Sequence, residues 1–420
     1  MLIGLIAPPW LPVPPPTYGG TEVVVDNLAR GLVALGHDVR LFTVGESTCP
    51  VPRDSLFAAG VEPIGASVPE AAHVLAAYEW LSDVDVIHDH TILGPLLATR
   101  SRTLHPPVVV TNHGPFTGIC RPLFAEIARH AAVVAISHAQ ARTAGGIPVT
   151  AVIHHGIDLN VYRPGPGKGG YLVFIGRMSP DKGVHHAVRI ARRAGLPLVL
   201  VTKMREPAER EYYEREVRPL LPPEAALPVE LPLDQRLDLL RNAYALLNPI
   251  EWAEPFGLVM AEALACGTPV LAFSRGAATE IVEHGRTGFL CPDEDAMVAA
   301  LPRVGHLDRC TCRAAAEERF SLLRMARDYE HVYRAILDHS SLWQARPGVP
   351  SVAVDARGAH LCTPHELPAA AQIAEECSPT RTNEHARITE PAPLTRNWST
   401  HGRIPPVRTL TWSAARQPMA

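Results

Sequence analysis

Short apolar runs alternate with helical patterns through the first 160 residues of the chain. Residues 2–7 (LIGLIA) are wholly apolar and residues 39–44 (VRLFTV) are mostly apolar. Between them, residues 21–36 carry apolar side chains at helical spacing and end at Gly36. Further β-branched runs begin near residues 84, 108, 132 and 149. Runs of this kind are typical of buried parallel strands. The pattern predicts a parallel sheet covered by helices on both faces.

The same alternation starts again after a linker-like segment, RPGPGKGG at 163–170. A helix is predicted at 184–195, and strands are predicted near residues 170–176, 196–203, 229–232, 244–250, 268–273 and 287–291. Two successive Rossmann-like units predict a cleft between them, with ligand-binding groups at the carboxyl ends of the strands.

These patterns predict an α/β protein with four segments. The four segments are an N-terminal Rossmann-like domain at 1–163, a flexible linker at 164–170, a C-terminal Rossmann-like domain at 171–342, and a tail at 343–420. A helix at 322–337 is predicted to close the second unit and its cleft. The tail is rich in proline and arginine and lacks a sustained period, so we predict that it is disordered or loosely packed, with one short isolated helix at 368–377.

The amino-acid composition excludes several classes of protein. Hydrophobic residues make up 47% and charged residues 20% of the chain, which is ordinary for a globular protein. A net charge of −4 argues against a dedicated nucleic-acid-binding protein. No apolar stretch is long enough to span a membrane, and Pro8 and Pro9 interrupt the N-terminal run, so a cytoplasmic location is expected. The eight cysteines lack paired zinc-binding spacing and are predicted to be free thiols.

Two glycine- or cation-bearing loops follow predicted strands. Gly19 and Gly20 come after the first strand and open a helix, where backbone can approach an anion closely; a tight turn explains them almost as well. Arg177 and Lys182 share a loop that leads into a helix and can converge on one polyanion. Lysine is otherwise found only at positions 168 and 203, which makes Lys182 unusual, and Lys203 could add a further charge at a strand end or lie in solvent.

Carboxylates define a third region, at 251–269. Pro255 suits a first helical turn and Gly267 a helix end, so a short buried helix is predicted between them. Glu262 lies inside this apolar helix and needs a partner or a ligand, because an unpaired buried carboxylate is costly. Glu254 precedes it on the order of 12 Å away, from the rise per residue of a helix.

Histidine marks the fourth region. His113 follows a predicted strand and faces the cleft, either as a functional group or as a structural histidine bonded to backbone. His88, Asp89 and His90 end another strand and could contact an acceptor, but alternation prevents all three from facing one ion. No metal site is therefore assigned.

These blocks together resemble glycosyltransferase family 4, whose members are retaining, nucleotide-sugar-dependent enzymes of GT-B fold. The resemblance covers about residues 1–340 and rests on Gly19-Gly20, on RMSPDKG (177–183), and on EPFGLVMAEALACGTPV with its two glutamates eight positions apart and Gly276, Glu280 and Gly288 downstream.

The resemblance implies a role for each matching position. Arg177 and Lys182 would bind the diphosphate of the donor. Glu254 would meet the donor sugar, with the backbone of Phe256, Gly257 and Leu258 beside it. Glu262 would hold the ribose diol, Gly20 would approach the phosphate or sugar, and His113 would contact the transferred sugar.

The expected function is therefore a retaining hexosyltransferase without a metal or other cofactor. Its N-terminal domain would bind the acceptor and its C-terminal domain the donor. A UDP-sugar is favoured as donor and GDP-mannose comes next; the acceptor is a hydroxyl of a glycan, a lipid-linked molecule or a small molecule. No nucleic-acid partner is expected, and peripheral contact with a membrane stays open. The alternatives are a nucleotide-sugar epimerase, a phosphorylase, or a non-catalytic nucleotide-sugar-binding protein.

Overall fold

Seven parallel strands form the sheet of the N-terminal domain in a computed structural model that describes residues 1–98, 106–222, 225, 228–338 and 410. The strands are β1 (Leu2–Ile6), β2 (Asp38–Thr43), β3 (Arg53–Ser55), β4 (Val86–Asp89), β5 (Val108–Thr111), β6 (Ala132–Ala135) and β7 (Ala151–Val152). They pair in the order β3-β2-β1-β4-β5-β6-β7. The helices between them are α1 (Gly20–Ala34), α2 (Ser67–Trp80), α3 (Leu93–Ala98), α4 (Cys120–Ile127) and α5 (His138–Arg142).

The C-terminal domain has a parallel sheet of five strands. These are β8 (Leu172–Arg177), β9 (Leu198–Lys203), β10 (Ala245–Asn248), β11 (Val270–Phe273) and β12 (Gly288–Cys291), paired in the order β12-β11-β10-β8-β9. Its helices are α6 (Val184–Ala194), α7 (Pro207–Tyr212), α8 (Leu233–Asn242), α9 (Leu258–Ala265), α10 (Ala278–Ile281), α11 (Glu294–Ala300) and α12 (Arg309–Arg319). Strands such as β6 and β10 are buried at every position, because helices cover both faces of the sheet.

The last helix, α13 (Leu322–Asp338), returns to the N-terminal domain. Its buried face, which includes Met325, Ala326 and Tyr329, belongs to the same core as α1. Gly31 of α1 allows this close approach, since a Cβ there would lie 2.8 Å from the Cβ of Ala326. The prediction that this helix completes the second domain is therefore wrong: its amphipathic face is buried against the first domain.

The two domains are connected twice, and the connections lie side by side. The backbone N–H of Ile157 donates to the carbonyl of Phe320 at 2.8 Å, and the N–H of Leu322 donates to the carbonyl of Ile157 at 3.0 Å. The chain thus leaves the first domain and returns to it at one place.

The segment 164–170 lies along the C-terminal domain and is not a free linker. The N–H groups of Gly165 and Gly169 donate to backbone carbonyls of that domain at 3.1 and 2.8 Å. A Cβ at Gly165 would lie 2.3 Å from the Cβ of Arg241, so close approach to the domain explains this glycine. The segment 164–170 was predicted to be a flexible linker, but hydrogen bonds attach it to the C-terminal domain.

The run 229–232, predicted to be a strand, forms only an isolated bridge between Val201 and Val229. The charged run 205–221 buries Tyr212, Tyr213 and Val217. Of the tail, Leu410 alone is described: it pairs with Leu198 at the start of β9. The rest of 343–420, with the predicted helix at 368–377, lies outside the described residues.

Candidate functional site

A cleft opens between the two domains where the carboxyl ends of their strands face each other, as the fold class predicts. Residues of both domains line it, and the N-terminus of α1 faces α9 across it. Its lining consists of Thr17–Thr21, Val23, His113, Ile136, His155, Phe174–Gly176, Lys182, Arg236, Asn248, Ile250, Glu254–Val259 and Glu262.

The glycine pair enters this lining at the start of α1. Gly19 is needed for packing, because a Cβ there would lie 2.8 Å from Pro15 and 2.9 Å from the Glu22 carboxylate. Gly20 has room for a Cβ and faces Leu258 on the opposite wall. Glu22 is buried beneath the loop, and burial raises its pKa to about 7.

Lys182 and Glu254 meet inside the cleft from two different loops. The Lys182 ammonium donates to the Glu254 carboxylate at 2.5 Å, and each side chain is only 14% exposed. Trp252 donates its indole N–H to the same carboxylate at 2.7 Å, and its ring lies 5.7 Å from the Lys182 nitrogen. A cation and a carboxylate thus share one wall of the cleft, and the Trp252 ring lies beside them.

Arg177 ends β8 and is separated from this pair. Its guanidinium donates to Asp181 at 3.1 Å and to Ser179 at 3.3 Å, and it is not among the residues that line the cleft. Burial acts to lower the pKa of Arg177, but the neighbouring Asp181 carboxylate raises it overall. The local ion pair holds Arg177 beside the loop of Lys182.

Lys203 is also absent from the lining of the cleft. Its ammonium donates to Glu206 at 2.6 Å and to Glu209 at 3.0 Å, so two carboxylates already compensate its charge. It lines a smaller depression next to Thr17, Tyr18 and Arg236.

Glu262 has the partner that its burial requires. Its Oε1 atom accepts a hydrogen bond of 2.7 Å from the hydroxyl of Tyr162, which lies in the segment that leaves the first domain. The preceding Gly257 has φ of 89°, and α9 begins at Leu258, not at Pro255 as predicted. A left-handed residue there turns the chain so that Phe256 and Leu258 both line the cleft.

His113 is half-buried and belongs to a cluster of imidazoles whose other members, His90 and His155, are buried. Its Nε2 atom lies 2.9 Å from Nδ1 of His90, and its ring stacks on that of His155 at 5.2 Å. Burial lowers the pKa of His113 to about 4, so the ring is neutral at pH 7. His90 and His155 each keep one buried ring nitrogen without a partner among the described residues.

The strand end at 88–90 separates as alternation predicts. His88 contacts Tyr333 and Thr111 at 2.7 and 2.8 Å, whereas Asp89 accepts from Tyr78 and from the backbone N–H of Thr91. These partners fix the strand end as part of the core.

Glu280 connects the domains at the side of the cleft. Its carboxylate accepts from the backbone N–H groups of His138 and Ala139 at 2.9 and 2.5 Å, and lies 2.8 Å from Nε2 of His154. All three partners belong to the N-terminal domain. A second connection runs from Thr17 to Glu230 at 2.9 Å.

Sequence reasoning missed Tyr162, Trp252 and His155 as residues of the site. Trp252 stands two positions from Glu254 and could have been noticed there. Tyr162 lies 100 positions from Glu262, and no local pattern connects the two.

Two family models match the chain. The model for glycosyltransferase family 4 covers residues 18–161, and the model for glycosyl transferases group 1 covers residues 163–308. Together they span more than half of the sequence. Among the described residues, no helix combines the length and apolar character needed to cross a membrane.

Two curated proteins are similar in sequence. D-inositol 3-phosphate glycosyltransferase of Mycobacterium avium is 31% identical over 203 residues, which are 44% of this chain and 47% of that protein. Phosphatidyl-myo-inositol mannosyltransferase of Mycolicibacterium smegmatis is 27% identical over 357 residues, which are 76% of this chain and 88% of that protein. The chain thus spans about half of the first relative and most of the second.

A solved structure shares the arrangement of both domains. The crystal structure of AviGT4, a glycosyltransferase involved in avilamycin A biosynthesis, matches with a TM-score of 0.61 at 27% identity, covering 80% of this chain and 98% of AviGT4. Together with the two parallel sheets, this likeness confirms the predicted GT-B fold. The chain therefore belongs to the glycosyltransferases of family 4.

Proposed function

We propose that this protein transfers a sugar with retention of configuration from a nucleoside-diphosphate sugar, with a UDP-sugar favoured over GDP-mannose, to a hydroxyl acceptor. The proposed transfer takes place in the interdomain cleft and uses no metal at the reacting atoms. The observation that carries the proposal is the pairing of Lys182 with Glu254 on the wall of that cleft.

The pairing suits a donor that brings both phosphate and hydroxyl groups. A diphosphate would take the ammonium of Lys182 from Glu254 and leave that carboxylate free to accept from sugar hydroxyls. Arg177, held by Asp181 at the neighbouring strand end, would add a second positive charge. Fixed charges aimed at a developing anion are worth about 3–4 kcal/mol each in the barrier.

Two further groups would hold the ends of the donor. Glu262, oriented by Tyr162, would accept from the ribose hydroxyls. His113, whose pKa burial lowers to about 4, would offer a neutral imidazole to the transferred sugar. The incoming hydroxyl would attack from the side of the leaving group, and the departing phosphate oxygen would take its proton.

The acceptor is proposed only as a hydroxyl compound. The two curated relatives are named for an inositol phosphate and for a phosphatidyl-inositol, so related clefts bind chemically different acceptors. A cyclitol phosphate and a lipid-linked polyol are the first two classes to test, and the second would bring the N-terminal domain to a membrane surface. A cytoplasmic location agrees with a nucleotide-sugar donor.

A donor screen tests the proposal. UDP-glucose, UDP-galactose, UDP-N-acetylglucosamine, UDP-glucuronate and GDP-mannose are added to the protein with and without EDTA, and thermal stabilisation and nucleotide release are measured. We expect one donor to stabilise the protein and to be hydrolysed slowly in both conditions. Release that stops in EDTA and returns with added magnesium or manganese, but not with zinc, would contradict the metal-free mechanism, and the absence of any stabilising donor would contradict the proposed function.

Substitutions of the two cationic residues test which side chains stabilise the leaving diphosphate. Lys182→Ala and Arg177→Ala should each lower kcat on the order of 100-fold while the fold survives. Lys168→Ala is a matched control, because that lysine is exposed on the segment between the domains. Near-normal turnover in both the Lys182→Ala and the Arg177→Ala variant would refute the assignment of the leaving-group charges.

A further inference from the structure

Two adjacent histidines converge with a glutamate outside the interdomain cleft. His185 and His186 lie in the first turn of α6, and Glu251 lies in the loop that follows β10. One ligand atom from each of the three side chains lies within 4.8 Å of the other two. Among the described residues, none of the three lines the cleft.

His186 is placed between two carboxylates. Its Nε2 atom lies 2.8 Å from Glu251, and its Nδ1 atom lies 2.5 Å from Glu294. A neutral imidazole carries one N–H and donates to only one of them, whereas an imidazolium donates to both. In the neutral form, a cation bound to Nε2 and to Glu251 would leave Nδ1–H to donate to Glu294. A carboxylate on the outer nitrogen is the usual companion of a metal-binding histidine.

His185 has a similar arrangement. Its Nδ1 atom lies 2.6 Å from the hydroxyl oxygen of Tyr212, and its backbone N–H donates to the same oxygen at 3.2 Å. Tyr212 is buried, so this contact fixes the orientation of the ring. Nε2 is the nitrogen that remains for a further ligand.

We propose that His185, His186 and Glu251 bind one divalent cation of the zinc class, with water completing the coordination. Two imidazoles and one carboxylate favour zinc over magnesium or calcium, which prefer oxygen ligands. Ligand atoms around tetrahedral zinc are about 3.4 Å apart, from bond lengths of about 2.0–2.2 Å. The three ligand atoms lie within 4.8 Å of one another, so they would have to move closer together to bind one ion.

The position of the site assigns it a structural role. The backbone N–H of Glu251 donates to the carbonyl of Asp181 at 2.9 Å, next to Lys182. Glu251 also precedes Trp252 and Glu254 on one loop. A cation would therefore connect α6 to both loops that form this wall of the cleft, and it would stiffen them without contacting the donor.

Zinc titration of the full chain tests the proposal. After dialysis against EDTA, the protein is titrated with ZnCl2 at pH 7.5 by calorimetry, and CoCl2 provides a visible spectrum of the coordination. We expect one zinc ion per chain, and a rise in Tm on the order of 5 °C when zinc exceeds its Kd about 100-fold.

Variants separate ligands from supporting groups. Glu294→Gln should weaken zinc binding about 10–100-fold, and His185→Ala and Glu251→Gln should weaken it more. His130→Ala is the control, because His130 is 45% exposed and pairs with a carboxylate elsewhere on the surface. Glu251 is 43% exposed, so its variant tests the site even if a histidine variant fails to fold. No stoichiometric zinc binding, or equal affinity in wild type and Glu251→Gln, would overturn the proposal.

Discussion

Removal of the Glu280 side chain should loosen the contact between the domains. Glu280 is 14% exposed and accepts two backbone hydrogen bonds from α5 and one contact from His154, all across the interface. Hydrogen bonds to a charged group contribute about 1.5–3 kcal/mol each, and the loss of one partner from a buried pair costs about 3–5 kcal/mol. Water can reach part of this interface, so we expect Glu280→Ala to cost about 3 kcal/mol.

Urea unfolding and small-angle X-ray scattering measure the two effects. The free energy of unfolding should fall by that amount, and the radius of gyration should rise, because the domains separate more often. Glu283→Ala is a matched control: Glu283 pairs with Arg286 and Arg319 inside the C-terminal domain at 2.5 and 3.0 Å. If Glu280→Ala changes stability and radius no more than this control does, the interface does not depend on Glu280.

Acid should weaken the same contact. Burial acts to raise the pKa of Glu280, but its contacts with His154 and with the N–H groups of His138 and Ala139 lower it below the ordinary 4.5. Because the folded value is the lower one, the stabilisation is complete above pH 4.5 and is lost as the pH falls through the folded value. In Glu280→Ala this part of the pH dependence should be absent.

Three other predictions concern the site, the histidines and the tail. Tyr162→Phe should weaken nucleotide binding about 10-fold, because it removes one hydrogen bond to Glu262 that is worth roughly 1–1.5 kcal/mol. An unchanged affinity in a nucleotide titration would mean that this hydrogen bond does not contribute to binding. Burial lowers the pKa of His73 and His113 to about 4, so the unfolded chain binds protons first. Below pH 6.5 the free energy of unfolding should therefore fall by about 1.4 kcal/mol for each of the two histidines with every pH unit. A free energy of unfolding that stays constant between pH 6.5 and 5 in urea titrations would contradict this. Leu410→Ser should lower Tm by several degrees, since Leu410 is 6% exposed and its burial is worth about 2 kcal/mol; an unchanged Tm would mean that the contact contributes nothing.

Local pattern was sufficient for most secondary structure and for the family. The strands β1, β2, β8 and β9 and the helices α1 and α6 were predicted because the burial of an element imposes a period on neighbouring residues. Glu254, Glu262 and the loop of Lys182 could also be found from local sequence, because in each case the residues stand close together in the chain at a recognisable spacing.

Tertiary structure decided which side chains meet. Lys203 ends a strand and pairs with two glutamates outside the cleft, whereas Lys182, five residues beyond the end of a strand, pairs with Glu254 on the wall of the cleft. The return of α13 to the first domain and the bond from Tyr162 to Glu262 join residues far apart in the chain. An amphipathic helix specifies that one face must be buried, not against which domain. The domain against which the face is buried depends on the path of the chain between the domains, and the spacing of apolar residues within a helix does not determine that path.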